Sequence, residues 1–213
     1  MPVRRVVTPS GRGVRGYVPS RKMQCMIPYE STLERDAIHL FEYSRAVQAY
    51  EAQPCKLVIH QDGEPFRYTP DFRLVMVSEN IIHVEVKPKS KLSDPLVSDR
   101  LTAIRKYHEH LDEDFLILTE DVIRKEPRLR NLQLMSYHDR VSASDPDLGA
   151  ALDSLILLTP QTFYGAVAVV GDRKLVLRLL AAGLLYCDLD QEIQDSTTIY
   201  LHKEGDDDAA FFL

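Results

Sequence analysis

The chain has 213 residues, 45% of them hydrophobic and 27% charged, enough to bury a sizeable core in one large domain or in one medium and one small domain. Its three cysteines, Cys25, Cys55 and Cys187, are far apart and form no CxxC or Cys/His spacing, so no disulfide framework or zinc site is readable and a reducing cytoplasm is the expected setting. The net charge of −6 hides an asymmetry: residues 1 to 22 hold six cations and no acid, so the other 20 cations face all 32 acids, a balance of −12.

In chain order, the first segment is that basic run, "RRVVTPSGRGVRGYVPSRK". It is rich in Gly and Arg and poor in periodic apolar positions, which predicts a flexible or loosely packed arm over 1–22. Arg4, Arg5, Arg12, Arg15, Arg21 and Lys22 are its candidate phosphate contacts, with a solvated tail as the alternative. "YESTLERDAIHLFEYSRAV" then places Leu33, Ala37, Ile38 and Phe41 on one helical stripe behind Ser31, a candidate N-cap. "CKLVIH", an Asp62-Gly63 turn and "PFRY" predict a hairpin, followed by strands "FRLVMV" and "IIHVEVK" joined through Ser78 to Asn80. Helix "SDPLVSDRLTAIRKYHEHL", buried strand "DFLILT" and helix "EDVIRKEPRLRNLQLM" complete this part.

Past "SASDPDLG" the composition shifts. Three short helical patterns and two strands, "LLYCDL" and "TTIYLHK", follow in the order of a winged helix. The third of these helices offers only Arg173, Lys174 and Arg178 as cations, so protein binding is at least as good a reading of it as DNA binding. The end, "EGDDDAAFFL", is an acidic and then apolar tail. The most apolar segment, "LVLRLLAAGLLY", is too short to span a bilayer, and no membrane role is expected.

The stretch "RYTPDFRLVMVSENIIHVEVKPKSK" carries the chemistry. If Val77 and Ile81 close a three-residue turn, Arg73 faces Glu85 and Asp71 faces Lys87. Alternation then puts Phe72, Leu74, Met76, Ile82, Val84 and Val86 on a wholly apolar face. Asp71, Arg73, His83, Glu85 and Lys87 share the other face with Val75, Val77 and Ile81, so the charges crowd one end of a partly covered surface. Carboxylates about 4 Å apart oppose each other by roughly 4 kcal/mol at an effective dielectric near 20, and a hard dication relieves this. An all-oxygen donor set suits Mg2+, with Mn2+ as a substitute, and the chemistry implied is phosphodiester hydrolysis. Lys87 could orient the attacking water or help deprotonate it. The alternative is the wet side of a half-buried sheet, with opposite charges paired across strands. His83 reads as packing, and His108 and His110 point to different sides of their helix.

"ESTLERD", "YTPDF" and "HVEVKP", with "GRGVRGYVP" before and "YEAQP" between, resemble the PD-(D/E)xK nuclease pattern and are similar in order to the TnsA family, the endonuclease subunit of heteromeric cut-and-paste transposases. The resemblance covers about residues 10 to 120. It implies an α/β restriction-endonuclease-like core, a mixed sheet flanked by helices, placed over 23–142; the element order past it gives a small winged-helix-like α+β domain over 143–204 and a tail over 205–213. The resemblance implies Glu34, Asp71 and Glu85 as metal ligands and Lys87 as the catalytic lysine. From spacing alone Glu34 is equally a capping-box partner of Ser31. Arg73, Lys89 and Lys91 join the basic arm as expected DNA contacts, with pairing to Glu85 as the alternative for Arg73. The implied function is a Mg2+-dependent nick of the 5' (non-transferred) strands at transposon ends, with a TnsB-like DDE transposase and a TnsC-like AAA+ regulator as partners. A free-standing restriction or repair nuclease and an inactive interaction subunit are the alternatives.

Overall fold

The computed structural model describes residues 14–139, 146–156 and 161–201. Arg4, Arg5, Arg12 and the expected tail over 205–213 lie outside the described residues. The chain divides into two compact units between Ile123 and Arg124. Among the described residues, no helix is long and apolar enough to cross a membrane.

The first unit is a mixed α/β structure. It opens with a hairpin of β1 (Gly16–Ser20) and β2 (Cys25–Tyr29), where a flexible arm was expected. Val18 and Ser20 on one strand and Ile27 on the other are buried, and the hairpin lies against helix α1 (Thr32–Tyr43). Glu42 of α1 ties it down. Its carboxylate accepts from Ser20 Oγ at 2.6 Å, from the Arg21 and Lys22 amides at 2.9 Å each, and from Tyr50 Oη at 2.6 Å.

The central sheet has the order β3-β6-β7-β8, from β3 (Val47–Ala52), β6 (Phe72–Met76), β7 (Ile81–Val86) and β8 (Asp114–Leu118). Only the β7–β8 pair is parallel. β3 is a strand that no alternation or turn signal in the sequence marks. The expected apolar face is core: Phe72, Leu74, Met76, Ile82, Val84 and Val86 are all buried. Phe41 of α1 packs edge-on against Phe72 with ring centroids 5.1 Å apart.

The register of β6 on β7 differs from the expected one. Val75, not Val77, pairs with Ile81, so Arg73 faces His83 rather than Glu85. The turn is longer because the Val77 amide leaves the ladder and donates to Ala46 O at 2.8 Å, while Met76 N donates to Asn80 O at 2.9 Å. Each pairing moves by two residues in total, and an even shift leaves every side chain on its predicted face.

A separate hairpin of β4 (Leu57–Gln61) and β5 (Glu64–Tyr68) turns at Asp62 and Gly63, whose φ values of 52° and 85° are those of the tight turn that Asp-Gly favours. Short helix α2 (Lys89–Leu92) leads to α3 (Pro95–His110), which is capped by Asp94 and has proline in its first turn. Leu101 and Ile104 of α3 pack with Ile59 and Tyr68 of the hairpin. The expected helix "EDVIRKEPRLRNLQLM" is two helices. α4 (Glu120–Ile123) packs on α1 in the first unit, and α5 (Arg128–His138) begins after Pro127, which has no amide to continue a helix.

The second unit holds α5 with α6 (Pro146–Leu155), α7 (Phe163–Val170) and α8 (Arg173–Ala181). The α5 helix, expected within the nuclease domain over 23–142, packs on α8 here. A small sheet of order β10-β11-β9 combines β10 (Leu185–Tyr186), β11 (Thr198–Leu201) and the two-residue β9 (Gln161–Thr162). Leu148, Leu155, Phe163, Val176, Leu180 and Ile199 form its core. Arg128 grips Asp190 through two hydrogen bonds of 2.7 Å, and Asn131 Nδ2 donates to Leu189 O and Gln191 O.

Candidate active site

Pro70 precedes the first paired residue of β6, and Asp71 follows it at the strand's entry. The backbone is fixed there because Gln53 N donates to Asp71 O at 2.9 Å. The Asp71 side chain reaches across the ladder, and Oδ2 accepts from the Val86 amide at 2.8 Å. Val86 lies between Glu85 and Lys87, so this bond holds the aspartate beside both.

Glu85 is buried on β7, 5% exposed. Its two oxygens have different partners. Oε1 is 2.6 Å from Lys87 Nζ, and Oε2 accepts from Tyr68 Oη at 2.9 Å. The expected alternative of an Arg73–Glu85 pair is therefore corrected: the lysine two residues along the strand occupies that carboxylate. Tyr68 is a site residue that the sequence reading missed. It ends β5 in a different sheet, so no periodicity linked it to Glu85.

Glu34 comes from the first turn of α1. Its Oε2 accepts from Glu30 N at 2.7 Å and its Oε1 from Ser31 Oγ at 2.9 Å, while Ser31 Oγ accepts from Glu34 N at 3.1 Å. This is a reciprocal cap. The same carboxylate also bears on the sheet acids. Burial pushes the Asp71 carboxyl well above the usual carboxylate range, and the charges of Glu85 and Glu34 push it further, against the Val86 hydrogen bond and Lys87. Glu34 is itself raised, by burial first. Burial alone would lower Lys87, yet Glu85, Asp71 and Glu34 together hold its ammonium above the ordinary value. With these charges around it and no ion bound, Lys87 is held as a cation beside the acids.

Cap and ligand are thus compatible roles for Glu34, because each carboxylate oxygen has a second lone pair. Four residues from one helix and one strand pair interact electrostatically, and three of them are oxygen donors whose mutual repulsion a hard cation would relieve. All three are carboxylate oxygens, the donor type that magnesium prefers.

Residues 44–120 match the family described as TnsA-like endonuclease N terminal. Over that span the chain is similar to TnsA-like endonuclease N-terminal domains. Asp71, Glu85 and Lys87 lie inside the matched span and Glu34 ten residues before it. No curated protein matches the chain. The match supports nuclease activity within a Tn7-type transposition system.

The expected DNA contacts of the TnsA-like domain are placed unevenly. Lys22 is corrected: its Nζ donates to the carbonyls of Phe41, Ser44 and Val47 at 2.7, 2.6 and 2.7 Å, which uses all three ammonium donors on the end of α1 and the start of β3. Arg15 lies 3.9 Å from Glu30 Oε1, and Arg21 is half-buried in the β1–β2 turn. Arg73 is half-buried on β6. Lys89 and Lys91 are exposed just past β7, Lys89 paired with Asp121 at 2.5 Å, an ion pair that holds its ammonium above the ordinary value.

Proposed function

We propose that this protein is a magnesium-dependent DNA endonuclease that nicks the 5' (non-transferred) strands at transposon ends, beside a DDE transposase and under an AAA+ regulator. The observation that carries the reading is the Asp71 carboxylate, tied to the Val86 amide between Glu85 and Lys87 and raised by both Glu85 and Glu34.

Glu34, Asp71 and Glu85 would hold the ion, which when bound supplies charge stabilisation to a phosphodiester and an acidified water. The chain's own contribution is orientation. Val86 N fixes Asp71, Tyr68 Oη fixes Glu85, and Ser31 with Glu30 N fixes Glu34. The Lys87 ammonium lies against the acids, where it can offset charge that develops on a phosphate. Lys89 and Lys91 would meet the DNA backbone past the strand end, together with cations of the N-terminal segment. An acidic average charge and the family match support an enzyme brought to its DNA by partners rather than one that binds alone.

The second unit reads as a winged-helix-like module for a protein partner. Arg173 on α8 is engaged by Asp195 at 2.7 Å and lies over the Phe163 ring at 4.5 Å, which favours that use over groove reading. The test is strand-specific cleavage of transposon-end DNA by purified protein with Mg2+, with and without the transposase. Nicking of the 5' strand that needs the transposase supports the proposal. Cutting of plain duplex without a partner would show a free-standing nuclease, and absence of cutting under both conditions would show an inactive subunit.

A further inference from the structure

Two residues up β7 from Glu85, on the same face, His83 is buried beneath α3. It meets His108, from the last turn of α3, ring on ring with centroids 4.5 Å apart. The His108 ring also lies nearly parallel to that of Phe115, the β8 neighbour of His83, with centroids 5.3 Å apart. Glu113 closes the group. Its carboxylate Oε2 is 2.9 Å from His108 Nδ1 and 3.5 Å from His83 Nδ1. The loop that brings it back is built for the purpose: Leu111 N and Glu113 N both donate to His108 O, at 2.9 and 3.0 Å, and Asp112 takes a left-handed φ of 56°.

The polar accounting inside this cluster does not close. His83 Nδ1 and His108 Nε2 are buried without a hydrogen-bond partner, although His83 is only 6% and His108 only 1% exposed. Buried polar atoms nearly always have a partner. Here the orphaned His83 nitrogen faces a carboxylate that is already shared with a second imidazole.

The geometry points to a second metal site, distinct from the carboxylate site: His83 Nδ1, His108 Nδ1 and Glu113 Oε2 form a three-ligand set for a zinc-class divalent transition ion. One ligand atom from each of the three residues lies within 4.8 Å of the others, and both Nδ1 atoms lie within 3.5 Å of Glu113 Oε2. Donors around a tetrahedral zinc are roughly 3.3 Å apart for bonds near 2 Å, so uptake draws them together and turns the imidazoles out of their stack. Two imidazoles and one carboxylate suit zinc, cobalt or nickel and disfavour magnesium, which prefers oxygen donors. Glu113 is the half-exposed member, so the fourth position opens toward solvent and takes water. Successive same-face residues on a strand are roughly 6.7 Å apart, so this ion sits beside the Asp71–Glu85 site without sharing a ligand with it. It ties the end of α3 to β7 and so braces the strand that presents Glu85 and Lys87.

The test uses the full chain stripped of metal with a chelator, then titrated with Zn2+ against a chromophoric competitor and with Co2+ for its visible spectrum. Wild type is expected to bind one Zn2+ per chain at micromolar concentration or below, with a nitrogen-ligated Co2+ spectrum and a raised Tm. Glu113→Gln can still accept from His108 and should fold with an unchanged metal-free Tm, yet bind Zn2+ at least tenfold more weakly. His83→Phe keeps a ring against His108, removes the nitrogen and should show the same loss. Asp71→Asn should keep the zinc site. Absence of micromolar binding by wild type would overturn the assignment, as would zinc binding that survives Glu113→Gln and His83→Phe and disappears in Asp71→Asn.

Discussion

Lys87 Nζ lies 2.6 Å from Glu85 Oε1, a same-strand pair two residues apart on the face of β7 that also receives Asp71. Side chains two apart on a strand share a face, and here the closeness makes the lysine the counter-ion of a buried acid. Lys87→Ala leaves the buried Glu85 carboxylate with Tyr68 and no counter-ion, so Tm should fall while 5'-strand nicking by the folded protein falls by at least about a hundredfold. Asp71→Ala should lower nicking in the same way. Circular dichroism and a strand-labelled cleavage assay check both, and nicking at wild-type rate by either variant would remove that residue from the mechanism.

The raised Asp71 carboxyl has a consequence for stability with a definite sign. A carboxyl whose folded-state value lies above its unfolded value holds its proton more tightly when folded. Its stabilising contribution is present below the ordinary value of 3.8 and is lost as the pH rises through the raised folded value. At neutral pH without metal, Asp71 therefore contributes against folding. Asp71→Asn can keep the Val86 hydrogen bond through its amide oxygen, and should melt higher than wild type near pH 7.5, with the gap closing as the pH is lowered. Millimolar Mg2+ should raise the Tm of wild type and not of the variant. Thermal scans at several pH values, with and without Mg2+, measure both effects.

Glu34 has two roles that substitution can separate. Glu34→Gln keeps one oxygen to accept from Glu30 N, and its amide N–H can donate to Ser31 Oγ in place of the bond that Ser31 donates to the carboxylate, so stability should largely hold while nicking falls. Glu34→Ala loses the cap as well and should cost about 1 kcal/mol of stability in addition. Equal nicking by wild type and the Gln variant, at matched Tm, would reduce Glu34 to a cap.

How far the site was legible follows from which signals are local. The apolar face of β6 and β7 and the grouping of Asp71, Glu85 and Lys87 survive a wrong register, because a period of two is insensitive to an even shift. The turn itself was not legible, since Val77 is drawn off by Ala46, a partner some thirty residues earlier. Tyr68 reaches Glu85 from another sheet, and His83, His108 and Glu113 meet only because α3 packs over β7. The β1–β2 hairpin was masked by its glycine, proline and arginine content, and its order comes from Glu42, a tertiary contact. Pro127 was visible, but the apolar pattern on either side of it suggested one helix.

Lys22 gives the last prediction, because the structure moves it from the DNA surface to the scaffold. The last carbonyls of a helix have no intrahelical partner, and Lys22 supplies donors to Phe41 O and Ser44 O as well as to Val47 O. Hydrogen bonds from a charged donor contribute about 1.5–3 kcal/mol each before the entropy of holding the lysine is counted, so Lys22→Met should lower stability by about 2 kcal/mol. The slope of DNA affinity against salt should not change, since no phosphate contact is lost. Lys91→Met, at an exposed position past β7, should behave in the opposite way, with unchanged Tm and a shallower salt dependence. Urea unfolding and binding titrations across a salt series distinguish the two residues, and a salt slope altered by Lys22→Met with stability intact would return it to the DNA interface.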